Sequence, residues 1–371
     1  MSRTVRRIAV SGYKSIREAE LDLGPVTVLV GPNGAGKSNF IEAVELLGHI
    51  AEGELAMEVG RRGGAVALMH GVGKGGAEIG LKVEAVVDDE LVNVYEARLT
   101  PSSRGELVFS REVVKLQDTG GSLEFYRHEL GRGHRESQLD VGEDIDTVSR
   151  NARDVLSGCR VYHFHDTTPG APVKQPGYAS DTETLHPDAR NLAAFLLRLR
   201  EEDPASYRKI VRTVQSVAPF FRDFVLTVDA GQRVALRWTE SGSDTVFPAD
   251  ALSDGTLRFV CLATLLLQPR PPALLVLDEP ELGLHPFALT VLAELFRSAS
   301  TRSQVLAATQ SVTLLDQFEL GELVVAERVD GSTRLRRPDR EALTAWLDDY
   351  SLGDLWLKNL LGGRPTPEPE R

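Results

Sequence analysis

What the sequence has little of already narrows its class. Two cysteines, Cys159 and Cys261, stand 102 positions apart and outside any CxxC spacing. Neither a disulfide framework nor a cysteine zinc site is supported, and a reducing compartment is expected. Long hydrophobic runs are also missing: the most apolar stretches, around Phe259 to Leu267 and Ala273 to Leu277, fall well short of the roughly 18 residues of a membrane span. The opening MSRTVRRIAVSGYKS is basic but has no apolar segment before polar residues return, so it is not a secretory signal. A cytoplasmic chain with no membrane partner is the expectation. Positive charge is in deficit, the formal net charge being −12, which excludes a protein that coats nucleic acid over its whole surface but leaves room for a local basic groove. Lysine is scarce against arginine, 8 to 34, a skew that reads as coding bias.

What is present is enough for a large core. With 371 residues, 42% hydrophobic and 26% charged, the chain supports two to three units of roughly 150 residues, or one large α/β domain with insertions. From Arg7 to Val30 the pattern alternates and then runs apolar, predicting two or three strands that end at Val26 to Val30. Helical spacing follows over Ser38 to Ile50. Residues from about Glu78 to Tyr126 alternate between turn signals, as in an antiparallel meander. Arg132 to Ser149 reads as an exposed loop, and RVYHFH, Arg160 to His165, as a short strand followed by a proline- and glycine-rich connector. Asp188 to Phe224 is helical in period, with Asp203 as an N-cap before Pro204. Val225 to Trp238 reads as a hairpin around AGQR. Beyond it the pattern predicts a helix to about Leu267, a buried strand Ala273 to Leu277, a helix Phe287 to Ser298, a strand Gln304 to Ala308 and a pair of strands near Glu322 to Leu335. The tail GGRPTPEPER is expected to be disordered.

Two motifs carry chemistry. Gly31-Pro32-Asn33-Gly34-Ala35-Gly36-Lys37-Ser38 fits GxxxxGK[ST] between a predicted strand and a predicted helix, the context in which backbone N–H groups turn inward around a polyphosphate. Lys37 would reach the β- and γ-phosphates and the Ser38 hydroxyl would hold Mg²⁺; Asn39 extends the cradle. Further on, Leu274 to Leu277 is an apolar run ending in Asp278 and Glu279. A carboxylate at such a strand end suits a Mg²⁺ ligand, assigned to Asp278, and Glu279 one residue on is placed to polarise an attacking water.

GPNGAGKSN and LLVLDEPELGLHP, with LSDGTLRF upstream of the second, together resemble the ABC-type ATPase heads of the RecF, SMC and OLD group, and look most like bacterial stand-alone ATPases of that group. GYKSI, YHFHDTTP and DYSLGDLWLKNLLGGRP extend the likeness over most of the chain. The resemblance implies an α/β P-loop NTPase with a mixed core sheet around the phosphate-loop helix, an antiparallel β meander and a helical signature lobe. Residues 1–175 would hold the phosphate loop and the antiparallel insertion, 176–250 the helical lobe and hairpin, 251–340 the signature, acidic strand and switch, and 341–371 a C-terminal helix and tail.

The resemblance also implies roles. Leu252-Ser253-Asp254-Gly255 looks like the ABC signature, whose Ser253 and Gly255 N–H groups would meet a γ-phosphate held by a second subunit; the same residues would equally make an N-cap turn. Glu281 to His285 occupies the place of the D-loop at the dimer seam. Gln310 stands where transporter-type relatives carry histidine; it donates hydrogen bonds but holds no proton, so slow turnover is expected. His163, His165 and Asp166 end a strand at the place of the Q-loop, with Asp166 as a Mg²⁺ ligand, and the two histidines also fit a structural pair or, lacking an evident third ligand, a transition-metal site. Lys14 and Ser15 would lie near the nucleotide, though a solvated lysine reads equally well. Arginines in the helical lobe, Arg198, Arg200, Arg208, Arg212 and Arg222, read as a solvated face more readily than as a phosphate-backbone track.

The expected function is an ATP-binding, slowly hydrolysing switch that dimerises head-to-tail over two ATP with Mg²⁺. Its expected setting is DNA repair and recombination, or defence against phage and plasmids, with DNA and a nuclease or other effector as partners. No nuclease is visible: 61 residues follow Gln310, too few for a Toprim domain, and no segment sustains the heptads of coiled-coil arms. A transporter ATPase subunit and a small-molecule P-loop kinase share the phosphate loop. The long antiparallel insertion and Gln310 argue against the first, and the signature would have no purpose in the second.

Overall fold

The computed structural model describes residues 4–71, 78–140 and 146–363. Its centre is a six-stranded sheet in the order Ser332–Arg336, Leu323–Val329, Val26–Val30, Gln304–Thr309, Leu274–Asp278, Arg160–Tyr162. Five strands are parallel and Ser332–Arg336 pairs antiparallel at one edge. All residues of Val26–Val30 and of Gln304–Thr309 are buried, as required of central parallel strands covered on both faces.

Alternation along these strands sends side chains into two cores. Val28, Val30, Leu275, Leu277, Val305 and Ala307 face one core, which contains the helices Leu192–Glu202, Pro204–Val217, Asp254–Leu267 and Pro286–Ser300. Leu29, Leu274, Val276, Leu306 and Ala308 face the other, shared with the helix Lys37–Glu52 and a second sheet. That second sheet is wholly antiparallel, in the order Ile16–Asp22, Thr4–Tyr13, Ile79–Val86, Leu91–Pro101, Leu107–Asp118, Glu124–Gly131. The phosphate-loop helix therefore lies in the core between the two sheets. Cys159 and Cys261 are buried on opposite sides of the parallel sheet, so no disulfide joins them, and burial pushes each thiol up to about 12.

Three local expectations change. Val225 to Trp238 does turn back on itself around AGQR, with Val228 bridging Val234 antiparallel, Asp229 N donating to the Arg233 carbonyl at 2.9 Å and Val225 N to the Arg237 carbonyl at 2.8 Å. Its second arm, however, takes further partners: Arg237–Glu240 pairs with Phe221–Phe224 and Val246–Pro248, while Arg233–Val234 pairs with Gly177–Tyr178. The reason is Trp238, buried with its ring stacked on Phe221 at 6.0 Å and on Phe247 at 5.0 Å, a packing gain that local alternation does not show. The strand at Arg160 stops at Tyr162, before the two histidines. The segment from Arg132 is not a loop throughout, since Asp146 N-caps a helix Thr147–Leu156; residues 141–145 lie outside the described residues, as does the tail beyond 363. Asp203 caps Pro204–Val217 through the Ser206 N–H, as its sequence position predicts.

One side chain joins the two sheets. Gln304, at the start of a central parallel strand, is buried. Its Oε1 accepts from Val5 N at 2.6 Å, and its Nε2 donates to the Val5 carbonyl at 2.8 Å and the Gly24 carbonyl at 3.2 Å. Gln304→Leu keeps the bulk but strands buried backbone groups, so it should cost about 2–4 kcal/mol of unfolding free energy. Urea denaturation tests this, and a midpoint within error of the parent would show that the contact contributes nothing to stability.

Candidate nucleotide site

The phosphate loop leaves the C-terminal end of the central strand Val26–Val30 and enters the helix Lys37–Glu52. Gly36 has φ 99°, and a Cβ there would collide with the Thr333 hydroxyl, so both conformation and space demand glycine. Lys37 is buried, 5% exposed. Its ammonium donates to the Gly31 carbonyl at 2.6 Å and the Pro32 carbonyl at 3.2 Å. Burial pulls its pKa down, and the fields of Glu279, Asp278 and Glu281 oppose that shift. Ser15, Asn39 and Thr333 flank the loop as one polar group: Asn39 Nδ2 donates to Ser15 Oγ at 2.6 Å, and the Ser15 and Thr333 hydroxyls share a hydrogen bond of 2.6 Å. Lys14, in the left-handed region at φ 44°, turns instead to an ion pair with Glu42.

The acidic strand ends beside this loop. Asp278 Oδ1 is buried with no hydrogen-bond partner, while the Asp278 carbonyl accepts from His165 Nε2 at 2.9 Å. Glu279 sits at φ 46°, a conformation unusual for glutamate, and its Oε1 accepts from Gln310 Nε2 at 3.1 Å. Glu281 Oε1 accepts from Thr309 Oγ1 at 2.6 Å and from Gln310 N at 3.1 Å, whereas Oε2 is buried without a partner. Asp166 is not drawn into this group. Its carboxylate accepts from the Thr168 N–H at 3.0 Å and hydroxyl at 2.7 Å, contacts that hold its pKa below the usual range, and among the described residues no hydrogen bond joins it to Ser38 or Asp278. Nor do His163 and His165 gather a third metal ligand among the described residues.

The turn 252–255 stands apart from the loop. Leu252 is buried, Ser253 and Asp254 are exposed, and Ser253 Oγ accepts from the Thr256 N–H at 3.2 Å to cap the helix Asp254–Leu267. A Cβ on Gly255 would strike the Gly283 carbonyl, so this helix tip touches the segment Glu281 to His285 backbone to backbone. Arg258, missed in the sequence reading, ties the region together by donating to the carbonyls of Phe164 at 3.2 Å, Leu282 at 3.1 Å and His165 at 2.8 Å. A second group missed by sequence is the C-terminal end. Trp356, Leu357, Asn359, Gly362 and Gly363 enclose a cavity of about 330 Å³ with Gly31 to Asn33 and Gln310.

Burial raises the Glu281 pKa above its ordinary value. A carboxyl whose folded pKa is raised favours folding most below its unfolded value of about 4.3, and loses that contribution as pH rises through the folded value. Glu281→Gln should therefore gain stability relative to the parent as pH rises from about 4 to 7. Thermal melts across that range check the sign, and a gap independent of pH would contradict it.

Comparison with known proteins places the chain among relatives and fold neighbours. A family model described as "AAA domain, putative AbiEii toxin, Type IV TA system" matches residues 26–316. The OLD nuclease of Thermus scotoductus is 40% identical over 43 residues, 12% of this chain and 8% of that protein. The DNA replication and repair protein RecF of Renibacterium salmoninarum is 28% identical over 116 residues, 30% of this chain and 27% of that protein. RecF of Acidothermus cellulolyticus is 39% identical over 84 residues, 22% and 23% of the two chains. The alignments thus span 8% to 27% of the length of these relatives. Among solved structures, an SMC head bound to the C-terminal winged-helix domain of ScpA superposes with a TM-score of 0.58 at 15% identity, covering 90% of this chain and 97% of that one. The Pyrococcus furiosus SMC head with an extended coiled coil gives 0.58 at 15% identity, covering 94% and 99%. The fold is that of a P-loop ATPase head of the RecF, SMC and OLD group, and with its model spanning 26–316, the chain belongs to the AAA family described as putative AbiEii toxin, Type IV TA system.

Proposed function

We propose that the chain is an ATP-driven association switch: it binds ATP at residues 33–39, hydrolyses it slowly, and pairs head-to-tail with a second copy over two nucleotides. One observation carries the reading. The buried, unpartnered Asp278 Oδ1 and an ammonium that, among the described residues, donates only to its own loop carbonyls occupy one site, and a metal-bound polyphosphate would relieve both. Lys37 then moves from the Gly31 and Pro32 carbonyls to the phosphates, and the Ser38 hydroxyl and Asp278 are the groups that would hold Mg²⁺. When bound, Mg²⁺ neutralises charge on the triphosphate. Glu279 accepts a proton from water while Gln310 holds its other face by the amide hydrogen bond. Gln310 supplies no proton, so turnover is slow. Asp166 is left out of this set because Thr168 holds its Oδ1 and no hydrogen bond joins it to Ser38 or Asp278 among the described residues.

The pairing rests on Ser253 and Gly255. They head a 14-residue helix whose tip is exposed and makes no hydrogen bond to the phosphate loop of its own chain among the described residues. Such a tip is an anion site, and a γ-phosphate held by a second copy would complete it, with Leu282, 43% exposed, beside the seam. Hydrolysis removes the shared phosphate and loosens the pair. The curated relatives act in DNA replication and repair or as an OLD nuclease, and the family is described by a toxin–antitoxin system. DNA upkeep or defence, with a partner protein acting on nucleic acid, is accordingly the setting we assign.

Lys37→Ala should abolish binding of a fluorescent ATP analogue; affinity within about twofold of the parent would remove the loop from the account. Glu279→Gln should accumulate a dimer on size exclusion only when ATP and Mg²⁺ are present, and a persistent monomer there would reject the switch. Trp356, which lines the cavity beside Asn33, should change emission on nucleotide binding. The change should vanish in Trp356→Phe and survive Trp346→Phe; the opposite pattern would show that the C-terminal segment does not sense the site.

A further inference from the structure

A groove of about 870 Å³ runs between the helices Pro204–Val217 and Pro286–Ser300. The first lines it with positions 205, 208, 209, 212, 213 and 216, the second with 287, 290, 291, 294, 295 and 298. Both sets follow the same i, i+3, i+4, i+7, i+8, i+11 spacing, so each wall is one continuous helix face about 17 Å long. Lys209 Nζ reaches Ser298 Oγ at 3.5 Å, which ties one wall to the other. The helix Asp254–Leu267 packs against both walls and contributes Leu267 to the lining. This leucine and Leu295 are buried beneath the groove, and the apolar surface it offers is the half-buried Val291 and Phe287, 53% exposed, toward the start of its helix.

The two sides differ in charge. Arg208, Lys209 and Arg212 are all exposed on one wall, and Glu294 is the single carboxylate among the lining residues. Two other arginines of the lobe are matched, Arg198 by Glu202 at 2.7 Å and Arg222 by Asp244 at 3.4 Å, and Arg200 donates to the Leu226 carbonyl at 3.0 Å. Among the described residues none of the three groove cations forms such an ion pair, although Asp203 feels the field of Arg208 at longer range. In a chain of net charge −12, three unmatched cations on one helix face beside an apolar lining define a specific complement.

We propose that this groove receives an amphipathic helix of a partner protein, its apolar stripe laid between the two walls and its acidic flank set against Arg208, Lys209 and Arg212. A helix in a groove is anchored by residues at i, i+3 or i+4 and i+7, the reach that three turns of wall provide. Nucleic acid fits less well, because a duplex resting on the cationic wall leaves the exposed Phe287 and the half-buried Val291 facing water. The assignment is independent of the nucleotide site.

The test uses fluorescence anisotropy on the full chain with a labelled peptide of about 18 residues, five helical turns, bearing leucines at that spacing and glutamates on the flank. A counterpart with lysine for glutamate and a short labelled duplex DNA are the controls. The acidic peptide should bind at least about tenfold more tightly than the lysine peptide, and the double variant Arg208→Glu, Arg212→Glu should invert that order. Phe287→Ala should weaken acidic-peptide binding about tenfold while leaving the thermal midpoint and ATP-analogue binding unchanged. Equal binding of the two peptides overturns the proposal. So does a preference for the duplex that the charge reversal removes, or a concentration-dependent self-association that it removes, which would assign the face to a second copy of the chain.

Discussion

A lysine ammonium held inside the protein, within the field of three carboxylates, sets the terms for the whole candidate site. Burial disfavours the charge on Lys37, and Asp278, Glu279 and Glu281 favour it. The ammonium settles on two carbonyls of its own loop, and one oxygen each of Asp278 and Glu281 is left without a hydrogen bond. A group of like charges around one cation is stable only if backbone and neighbouring strands hold every member in place. The parallel sheet does this, because the strands leading to Lys37, Asp278 and Gln310 are adjacent and run the same way. Their C-terminal ends therefore present loop, acids and amide at one edge.

The site was legible in sequence where its parts are contiguous. Gly31 to Ser38 and Leu274 to Glu279 each combine an apolar strand with the chemistry that follows it, and period, composition and motif point the same way there. The sequence placed Gln310 by its position after a strand, and the amide does meet Glu279. What it could not reveal depends on partners distant in the chain. Arg258 acts through backbone carbonyls 24, 93 and 94 positions away, and a carbonyl leaves no signature in sequence. Gln304 reads as a strand residue because its alternation is correct; only the fold brings Val5 to its side chain. The hairpin over Val225 to Trp238 forms around its turn, but the further partners of its second arm were hidden for the same reason, since a buried tryptophan packs on two other strands.

Asp166 shows the opposite case. A carboxylate after a strand, beside two histidines, has the right residue types for a metal, and Thr168 two positions on engages one of its oxygens locally, as short acidic side chains readily allow in turns. His165, with no comparable local partner, instead reaches the Asp278 carbonyl and so steadies the acidic strand end from outside it.

The strand Gln304–Thr309 joins two tasks in six buried residues. At its beginning the Gln304 amide clasps Val5 of the other sheet; at its end Thr309 and Gln310 grip Glu281 and Glu279. About 20 Å of extended backbone separates them, with no loop, glycine or helix in between to absorb a shift. The antiparallel sheet and the Gln310 amide are thus mounted on one short strand, which gives a displacement of the outer sheet a direct backbone path to the acids.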